Sequence, residues 1–385
     1  MVAAPTRQRL FTRPFLLLWS FSFLTFLAAF QLFPTLPLRI LDLGGSQTQA
    51  GLFLTVYTWA SALSAPLTGA LADRVGPHRL MVVAAGSFVA FSVAYGFVTT
   101  LPWLLTVAVG HGVFWSGLLS SSGALVTDVV PETRRTEGLA YWGMAPTAAI
   151  AVAPAVGLEI YERGWRILTL EVAALSVVVA GLALLVPKPS EYHNAGTVPG
   201  PLVSWKVVLA AGTIFLAAIG YGGITSHVAV MATLRGLTPR SLFFTAFACT
   251  ILLTRIVVGP IGDRLGPLRL LLPSLIVLPP ALWILATARS NSEIVIAAIF
   301  FGLGFGGAYP AFLTWILART HPGRRAATFG SVLFALDIGI GSGSLAVGWV
   351  AEVASFDLAF RVMAGFAAFS IPWFLVCRAW LFPKS

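Results

Sequence analysis

Long apolar segments separated by short polar ones run through the whole chain. Twelve of them have the roughly 20 mostly apolar residues that a membrane-spanning helix needs. They lie near residues 14–38, 48–71, 80–100, 102–127, 138–159, 167–187, 204–230, 239–262, 268–288, 293–318, 326–350 and 358–381. The pattern predicts an all-α integral membrane protein of twelve transmembrane helices.

The positive charges predict how these helices are oriented. With the N-terminus placed in the cytoplasm, 16 of the 24 Lys and Arg residues fall on the cytoplasmic side and seven on the opposite side, and Arg255 lies inside a span. Cytoplasmic loops of membrane proteins carry such an excess. Both termini are therefore predicted to be cytoplasmic, and the basic N-terminal segment to be retained rather than cleaved as a signal peptide.

A charged, glycine-containing loop occurs twice, at half the chain length. Residues 69–79 read GALADRVGPHR and residues 259–269 read GPIGDRLGPLR, so Gly, Asp-Arg, Gly-Pro and Arg recur 190 positions apart. PETRR from Pro131 is likewise echoed by PGRR from Pro322, and the most polar, Pro- and Gly-rich stretch lies between the copies. We therefore predict a six-helix bundle over 1–187, a cytoplasmic linker over 188–203 and a second six-helix bundle over 204–385.

Composition narrows the classes of function. Hydrophobic residues make up 58% of the chain and charged residues 10%, against about a quarter charged in soluble proteins. The net charge of +10 is spread singly or in pairs between apolar runs, so nucleic acid is not an expected partner. The sequence has no P-loop, no Cys/His set with metal-ligand spacing and no Gly-x-Ser-x-Gly elbow. We therefore expect neither an enzyme nor a cofactor or metal.

The Gly-x-x-x-Asp-Arg-x-Gly-x-x-Arg loop between helices 2 and 3, its weaker second copy and the span count together resemble the major facilitator superfamily over essentially the whole chain. Residues 43–53 and 128–138 resemble its prokaryotic efflux-type members, the arabinose-efflux or drug-exporter group. The resemblance implies a prokaryotic cytoplasmic membrane and two bundles that rock about a cavity near the bilayer midplane. Helices 1, 2, 4, 5, 7, 8, 10 and 11 would line that cavity.

Two features of proton-coupled exporters in this superfamily are altered here. An Arg commonly stands four residues before a Gly of helix 4, but Ala108 stands four residues before Gly112. The Gly-Pro and Gly-Gly of helix 5 survive only as Ala153-Pro154 and Gly157-Leu158. Both changes weaken the assignment as a standard drug/proton antiporter.

The resemblance gives the repeated loop a role as a cytoplasmic gate. Asp73 can accept hydrogen bonds from a helix N-terminus, and Arg74 can pair with a carboxylate across the interface between the halves. The alternative is a solvated turn shaped only by membrane orientation. The gate candidates are Gly69, Asp73, Arg74, Gly76, Arg79, Arg255, Gly259, Asp263, Arg264 and Arg269.

Two titratable residues inside spans are candidates for proton coupling. Asp337 lies 12 residues after Arg325, about 18 Å into helix 11 and close to the midplane, where a lone carboxylate is costly and rarely faces lipid. It is a candidate for proton coupling or for binding a cationic substrate, and the alternative is a structural hydrogen bond to a neighbouring helix. His111 of helix 4 is a weaker candidate, because a contact between helices explains it better than a coupling role does. Glu171 is expected to reach the outer interface or to pair with Arg166, and its function is left open.

Aromatic and polar residues within the lining helices are candidates for the cavity wall, because aromatic faces suit bulky amphipathic or cationic ligands. Any one of them is more often a packing residue than a ligand contact. They are Gln31, Tyr57, Trp59, Trp115, Tyr141, Trp142, Tyr221 and Tyr309.

The sequence thus favours a monomeric secondary transporter that exports a small organic molecule in exchange for protons, with substrate, protons and the lipid bilayer as its partners. Uptake by proton symport and uncoupled facilitated transport are alternatives within transport. A non-transporting membrane receptor is a remote alternative. Neither the substrate nor the direction of transport follows from the sequence.

Overall fold

The computed structural model describes residues 9–188, 204–321 and 324–382. Within these ranges, the side chains of residues 136, 140, 255–265 and 326 are left undescribed. The predicted linker over 188–203 therefore lies outside the description except for its first residue, and the boundaries of the two halves stay a prediction.

The described ranges fold into twelve long helices, which confirms the predicted all-α architecture. The helices are α1 (Arg13–Asp42), α2 (Gln47–Val75), α3 (Pro77–Phe97), α4 (Leu101–Val129), α5 (Arg135–Arg163), α6 (Trp165–Leu185), α7 (Trp205–Leu234), α8 (Leu242–Leu265), α9 (Pro267–Thr287), α10 (Asn291–Leu317), α11 (Arg325–Val353) and α12 (Phe356–Leu381). Eleven of them are long and apolar enough to span a membrane, and α8 qualifies as a shorter apolar helix over its described portion, Leu242–Thr254.

The repeated Gly-Pro pair explains one shift in the predicted boundaries. Gly76 and Gly266 have φ angles of 91° and 85°, a region that side-chain-bearing residues rarely adopt. Pro77 and Pro267 then occupy the first turns of α3 and α9, where a missing N–H costs nothing. As a result α3 begins at Pro77 rather than near residue 80, and the two copies of the loop form the same tight turn.

The packing pattern of the first six helices recurs in the last six. The pairs α1–α5, α2–α4 and α3–α6 pack together, and their counterparts α7–α11, α8–α10 and α9–α12 do the same. Between the two sets, α2 packs on α11, α5 packs on α8, and α1 and α2 both contact α7. The fold is therefore an internal duplication with a seam formed mainly by α2–α11 and α5–α8.

The helices differ in how far they are enclosed by the others. The most apolar window of α7 is 78% buried, whereas α3, α6 and α12 pack mainly against helices of their own half. Apolar surface that no helix covers is suited to lipid. α7 is therefore central, and α3, α6 and α12 lie at the periphery. Below, the motif face is the end of the bundle that carries Asp73 and Arg74, and the far face is the opposite end.

Candidate functional site

The helices α2 and α11 run antiparallel and join the two halves through small and hydroxyl-bearing residues. The Thr55 hydroxyl donates to the Gly341 carbonyl at 2.8 Å, and the Ser344 hydroxyl donates to the Gly51 carbonyl at 2.9 Å. Gly51 lies so close to Ser344 that a side chain there would overlap the backbone of that residue. Small residues permit such close approach of membrane helices, so the seam is closed at this level.

α7 and the outermost turns of α2 and α11 add further contacts toward the far face. The hydroxyls of Ser226 and Ser344 are 2.6 Å apart, and the backbone N–H of Thr48 donates to Glu352 at 2.8 Å. His227 is fully buried, and its Nε2 lies 3.2 Å from the Gln47 carbonyl. His227 is not among the residues predicted from the sequence. A single His within an apolar span would have indicated it, as it did for His111.

Asp337 lies where this closed seam ends. The Ser61 hydroxyl donates to Asp337 Oδ2 at 3.1 Å and so joins α2 to α11. Ser61 is the middle residue of α2, 14 residues from either end, which is about 21 Å each way. The Asp337 carboxyl group is partly buried. The structure therefore places it near mid-depth and at the interface of the two halves.

The described hydrogen bonds that join the two halves are concentrated on one side of Asp337. Six are described, and each lies at Asp337 or toward the far face. At the motif face, Asp73, Asp128 and Glu137 make interactions that lie outside this set. A Cβ atom added at Gly69 of α2 or at Gly330 of α11 would meet nothing within 4 Å. Hydrogen bonds and close backbone contact therefore join α2 to α11 from Asp337 to the far face, and Gly69 and Gly330, further toward the motif face, have open space beside them.

His111 lies within the first half rather than at the seam. It is 2% exposed, and its ring centroid lies 4.5 Å from that of Phe88 and 4.9 Å from that of Tyr57. Its Nδ1 is 3.4 Å from the Tyr95 hydroxyl, and its buried Nε2 has no partner among the described residues. No hydrogen bond in the described part of the chain joins His111 to Asp337. Tyr57 contacts His111 and lies one turn from Ser61, the hydrogen-bond donor of Asp337.

Gln31 and Glu171 form a second polar pair inside the first half. Gln31 is fully buried, and its amide donates to Glu171 Oε1 at 3.2 Å. The Glu171 side chain therefore bonds to α1 and does not pair with Arg166 as expected. Both Gln31 Oε1 and Glu171 Oε2 are buried without a partner in the described part of the chain. A protonated carboxyl group would supply the donor that these two acceptors lack.

Trp115 and Tyr221 are the centres of two aromatic clusters, one in each half. The Trp115 ring contacts Phe26 of α1 with centroids 4.7 Å apart, and it also packs near Tyr57. Tyr221 stacks on Phe305 of α10 with centroids 4.6 Å apart. Trp115 and Tyr221 are 5% and 8% exposed, so each is largely covered in this arrangement and leaves only an edge accessible.

The other aromatic candidates are less enclosed. Trp59 is 38% exposed, and its indole N–H donates to the Ile338 carbonyl across the seam at 3.3 Å. Tyr141 is 40% exposed near the start of α5, while Trp142 and Tyr309 are partly buried. Trp59 thus contacts α11 across the seam.

The gate candidates lie at the motif face as far as they are described. Asp73, Arg74, Arg79 and Arg269 are exposed at the ends of α2 and the starts of α3 and α9. The side chains of the remaining second-half candidates lie outside the described residues, namely Arg255, Gly259, Asp263 and Arg264. The gate therefore stays a prediction.

Twelve apolar helices, a two-fold repeated packing pattern and a carboxyl group at the seam between the halves define a multi-pass membrane transport protein. The chain belongs to the major facilitator superfamily, because the model of that family matches residues 18–243 and 238–384. The family and fold predicted from the sequence are thereby confirmed.

Characterised relatives and solved structures resemble the chain over most of its length. It is 23% identical over 369 residues to the staphylopine export protein of Staphylococcus aureus, covering 89% of this chain and 90% of the relative. It is 26% identical over 342 residues to the multi-drug resistance efflux pump PmrA of Streptococcus pneumoniae, covering 83% and 84%.

Two solved structures show the same fold. One is a bacterial homologue of the human lysosomal transporter Spinster in an inward-facing and unoccupied conformation, with a TM-score of 0.80, 17% identity and coverage of 97% of this chain and 98% of that one. The other is the nucleoside transporter NupG, with a TM-score of 0.74, 13% identity and coverage of 95% and 99%. These identities are too low to transfer a substrate.

Proposed function

We propose that the protein exports a small amphipathic or cationic organic molecule in exchange for protons, by alternating access. The observation that carries the proposal is the position of Asp337, at the motif-face end of the hydrogen-bonded part of the α2–α11 seam. A carboxyl group at this position changes its surroundings whenever the two halves rock. When one face of the bundle closes and the other opens, the carboxyl group loses contact with water on the first side and gains it on the second.

The chemistry of exchange follows from the cost of burying a charge. An ionised Asp337 can stay enclosed only if a proton or a cationic ligand neutralises it. The carboxyl group can hold one of these at a time, so binding of a cation from the motif face would displace the proton. Ser61 donates to the ionised form and would hold the carboxyl group in place at the seam, since an ionised acceptor makes the stronger hydrogen bond.

The proposed substrate class rests on aromatic side chains of both halves. Trp59 offers a partly exposed indole ring at the seam, and the clusters centred on Trp115 and Tyr221 add ring edges from each half. Aromatic faces bind apolar bodies and attract cationic groups. A molecule with both features fits this wall better than a small, fully polar solute.

Export, rather than uptake, is supported by two observations. The relatives include an exporter and an efflux pump, and residues 43–53 and 128–138 resemble efflux-type members. Ala108 at the helix 4 position where exporters commonly carry Arg is the observation that favours uptake by symport or uncoupled transport. Transport direction relative to a pH gradient distinguishes the three.

The proposal includes an orientation. We place the motif face and both termini in the cytoplasm of a prokaryotic cell, since the Lys and Arg residues concentrate on that side. We further propose that the hydrogen-bonded far face is the side away from the cytoplasm, as in an inward-open state, and that the protein acts as a monomer of two six-helix halves.

The test is reconstitution of the purified protein into liposomes that enclose a pH-sensitive dye. When the vesicle interior is acidic, protons should leave the vesicle and drive the uptake of at least one amphipathic cation from a panel. Asp337→Asn should abolish coupled proton movement, whereas Glu162→Gln, which alters an exposed carboxylate in the last turn of α5, should not. Proton movement that persists in Asp337→Asn would contradict the coupling mechanism. Solute movement along the proton gradient would indicate symport, and solute movement without protons would indicate uncoupled transport.

A further inference from the structure

A pocket of about 560 Å³ opens at the far face of the first half, between the end of α3 and the start of α6. Three arginines line it: Arg39 from the last turns of α1, Arg163 from the end of α5 and Arg166 from the first turn of α6. No Asp or Glu is among the residues that line it. Three guanidinium groups in one pocket repel each other unless an anion lies between them.

The charges of these arginines are poorly compensated by the protein. Arg163 pairs with Glu159 at 3.5 Å, but both side chains are more than 60% exposed, so the pair is weak. The Arg39 guanidinium lies 5.8 Å from the centroid of the Trp165 ring, and its Nε is buried without a partner in the described part of the chain. A buried donor without an acceptor is costly, and the Arg39 side chain also lines the pocket.

At the corresponding place in the second half, an acidic side chain of the protein itself neutralises the arginines. There, Arg235 at the end of α7 donates to Asp357 in the first turn of α12 at 2.8 Å, and Arg289 after α9 donates to the same carboxylate at 2.6 Å. α12 is the counterpart of α6, and each begins with an aromatic residue. Asp357 therefore matches Arg166, so the first half has a cation where the second half has the anion.

The start of α6 strengthens this contrast. Its cap, Gly164, has no side chain to accept from the first N–H groups, and the first turn contains no acidic residue. The cap of α12, Ser355, accepts from Leu358, and Asp357 lies in the first turn. The positive end of the α6 dipole thus adds to the field of the three arginines.

The pocket is also bordered by apolar side chains that the protein leaves uncovered. Phe97 and Ile167 line it and are 79% and 51% exposed. They belong to α3 and α6, the peripheral helices of the first half. Apolar side chains beside clustered guanidinium groups match a ligand that has a phosphate group and hydrocarbon chains, as a phospholipid does.

We propose that this pocket binds the phosphate-containing headgroup of an anionic phospholipid, with Arg39, Arg163 and Arg166 as its ligands. Guanidinium groups donate in pairs to phosphate oxygens, and the acyl chains would cover Phe97 and Ile167. The site is separate from the transport path and does not depend on the direction or coupling of transport.

Native mass spectrometry of the detergent-purified protein tests the proposal, with phosphatidylglycerol, phosphatidylcholine and inorganic phosphate as probes. The key variant is Arg166→Asp, which gives the first half the acidic residue that the second half already has. The control is Arg361→Asp, an exposed residue of α12 that stacks over Trp283 at 5.3 Å, with the same change in charge.

We expect the unaltered protein to bind phosphatidylglycerol at least about tenfold more tightly than phosphatidylcholine, because both lipids carry a phosphate group but the choline cation is repelled by the three guanidinium groups. Arg166→Asp should remove this preference, and Arg361→Asp should keep it. Equal loss in both variants, or no preference in the unaltered protein, would overturn the proposal. Inorganic phosphate that binds as tightly as phosphatidylglycerol would assign the site to free anions instead. Arg39→Gln should weaken the preference too, so a folding failure of one variant leaves the test intact.

Discussion

The contact of Gly51 with α11 offers the sharpest test of the closed seam. In Gly51→Ala, the added methyl group would overlap the Ser344 carbonyl oxygen and would lie 2.9 Å from the Ser344 carbonyl carbon and 3.1 Å from Leu345 Cα. All three atoms belong to the backbone of α11, so no rotamer change can move them aside. Only a separation of α2 from α11 relieves the overlap.

The magnitude follows from the cost of overpacking. Inserting a methylene-sized group into a close-packed contact costs about 1–3 kcal/mol. The cost falls only on the state in which the far side is closed, because separation of the halves removes the contact. The ratio of far-open to far-closed molecules should therefore rise about 5- to 150-fold.

Distances between spin labels at Leu43 and Leu234 measure this ratio. These two residues lie at the far-face ends of α1 and α7 and are 38% and 68% exposed. Labelling needs a background without Cys249 and Cys377. Gly51→Ala should increase the population with the longer distance. Gly330→Ala is the matched control, because a Cβ at Gly330 of α11 meets nothing within 4 Å. An unchanged distance distribution in Gly51→Ala, or an equal change in both variants, would refute the reasoning.

Three further predictions concern the polar contacts. Glu171→Leu should lower the free energy of unfolding by about 1–3 kcal/mol, because it leaves the buried Gln31 amide without an acceptor. Glu171→Gln keeps an acceptor and should change it little. Thermal unfolding in detergent measures both variants, and equal melting temperatures for the two would contradict the prediction. Asp357→Asn should cost about 3 kcal/mol or less in the same measurement, because the Arg235 side chain is only 11% exposed and loses its counter-ion while Asp357 itself is 30% exposed. His227→Phe keeps an aromatic ring but removes a hydrogen bond between the halves, which is worth about 1 kcal/mol. The far-open population in the spin-label measurement should therefore rise about fivefold. No rise would show that this hydrogen bond does not hold the seam together.

The sequence was sufficient for the fold because lipid imposes a simple rule. Backbone groups in hydrocarbon must bond within their own segment, so each apolar run of about 20 residues becomes a helix. The repeat of Asp-Arg and Gly-Pro at 190 positions further indicated a duplication, and the matched positive-φ turns at Gly76 and Gly266 show the local reason for the repeat. Helix ends were less well predicted, because caps and Pro positions shift them by a few residues.

Depth could also be read from the sequence, since the rise of a helix is constant. Counting residues from Arg325 placed Asp337 near mid-depth, and the structure agrees. The same counting could not show what surrounds a residue at that depth. Asp337 lies at the seam with Ser61, whereas His111 at a comparable position is enclosed by rings of its own half.

Only the tertiary structure decided which residues meet across the chain. Gln31 and Glu171, His227 and Gln47, and the opposed arrangements at Arg166 and Asp357 involve partners far apart in sequence. An apolar helix in a membrane is hydrophobic on all sides, so no periodicity tells which face will meet another helix. Lipid thus makes the helices and their depth readable in the sequence, while close packing of small residues between helices selects the pairs that form the seam, the site and the pocket.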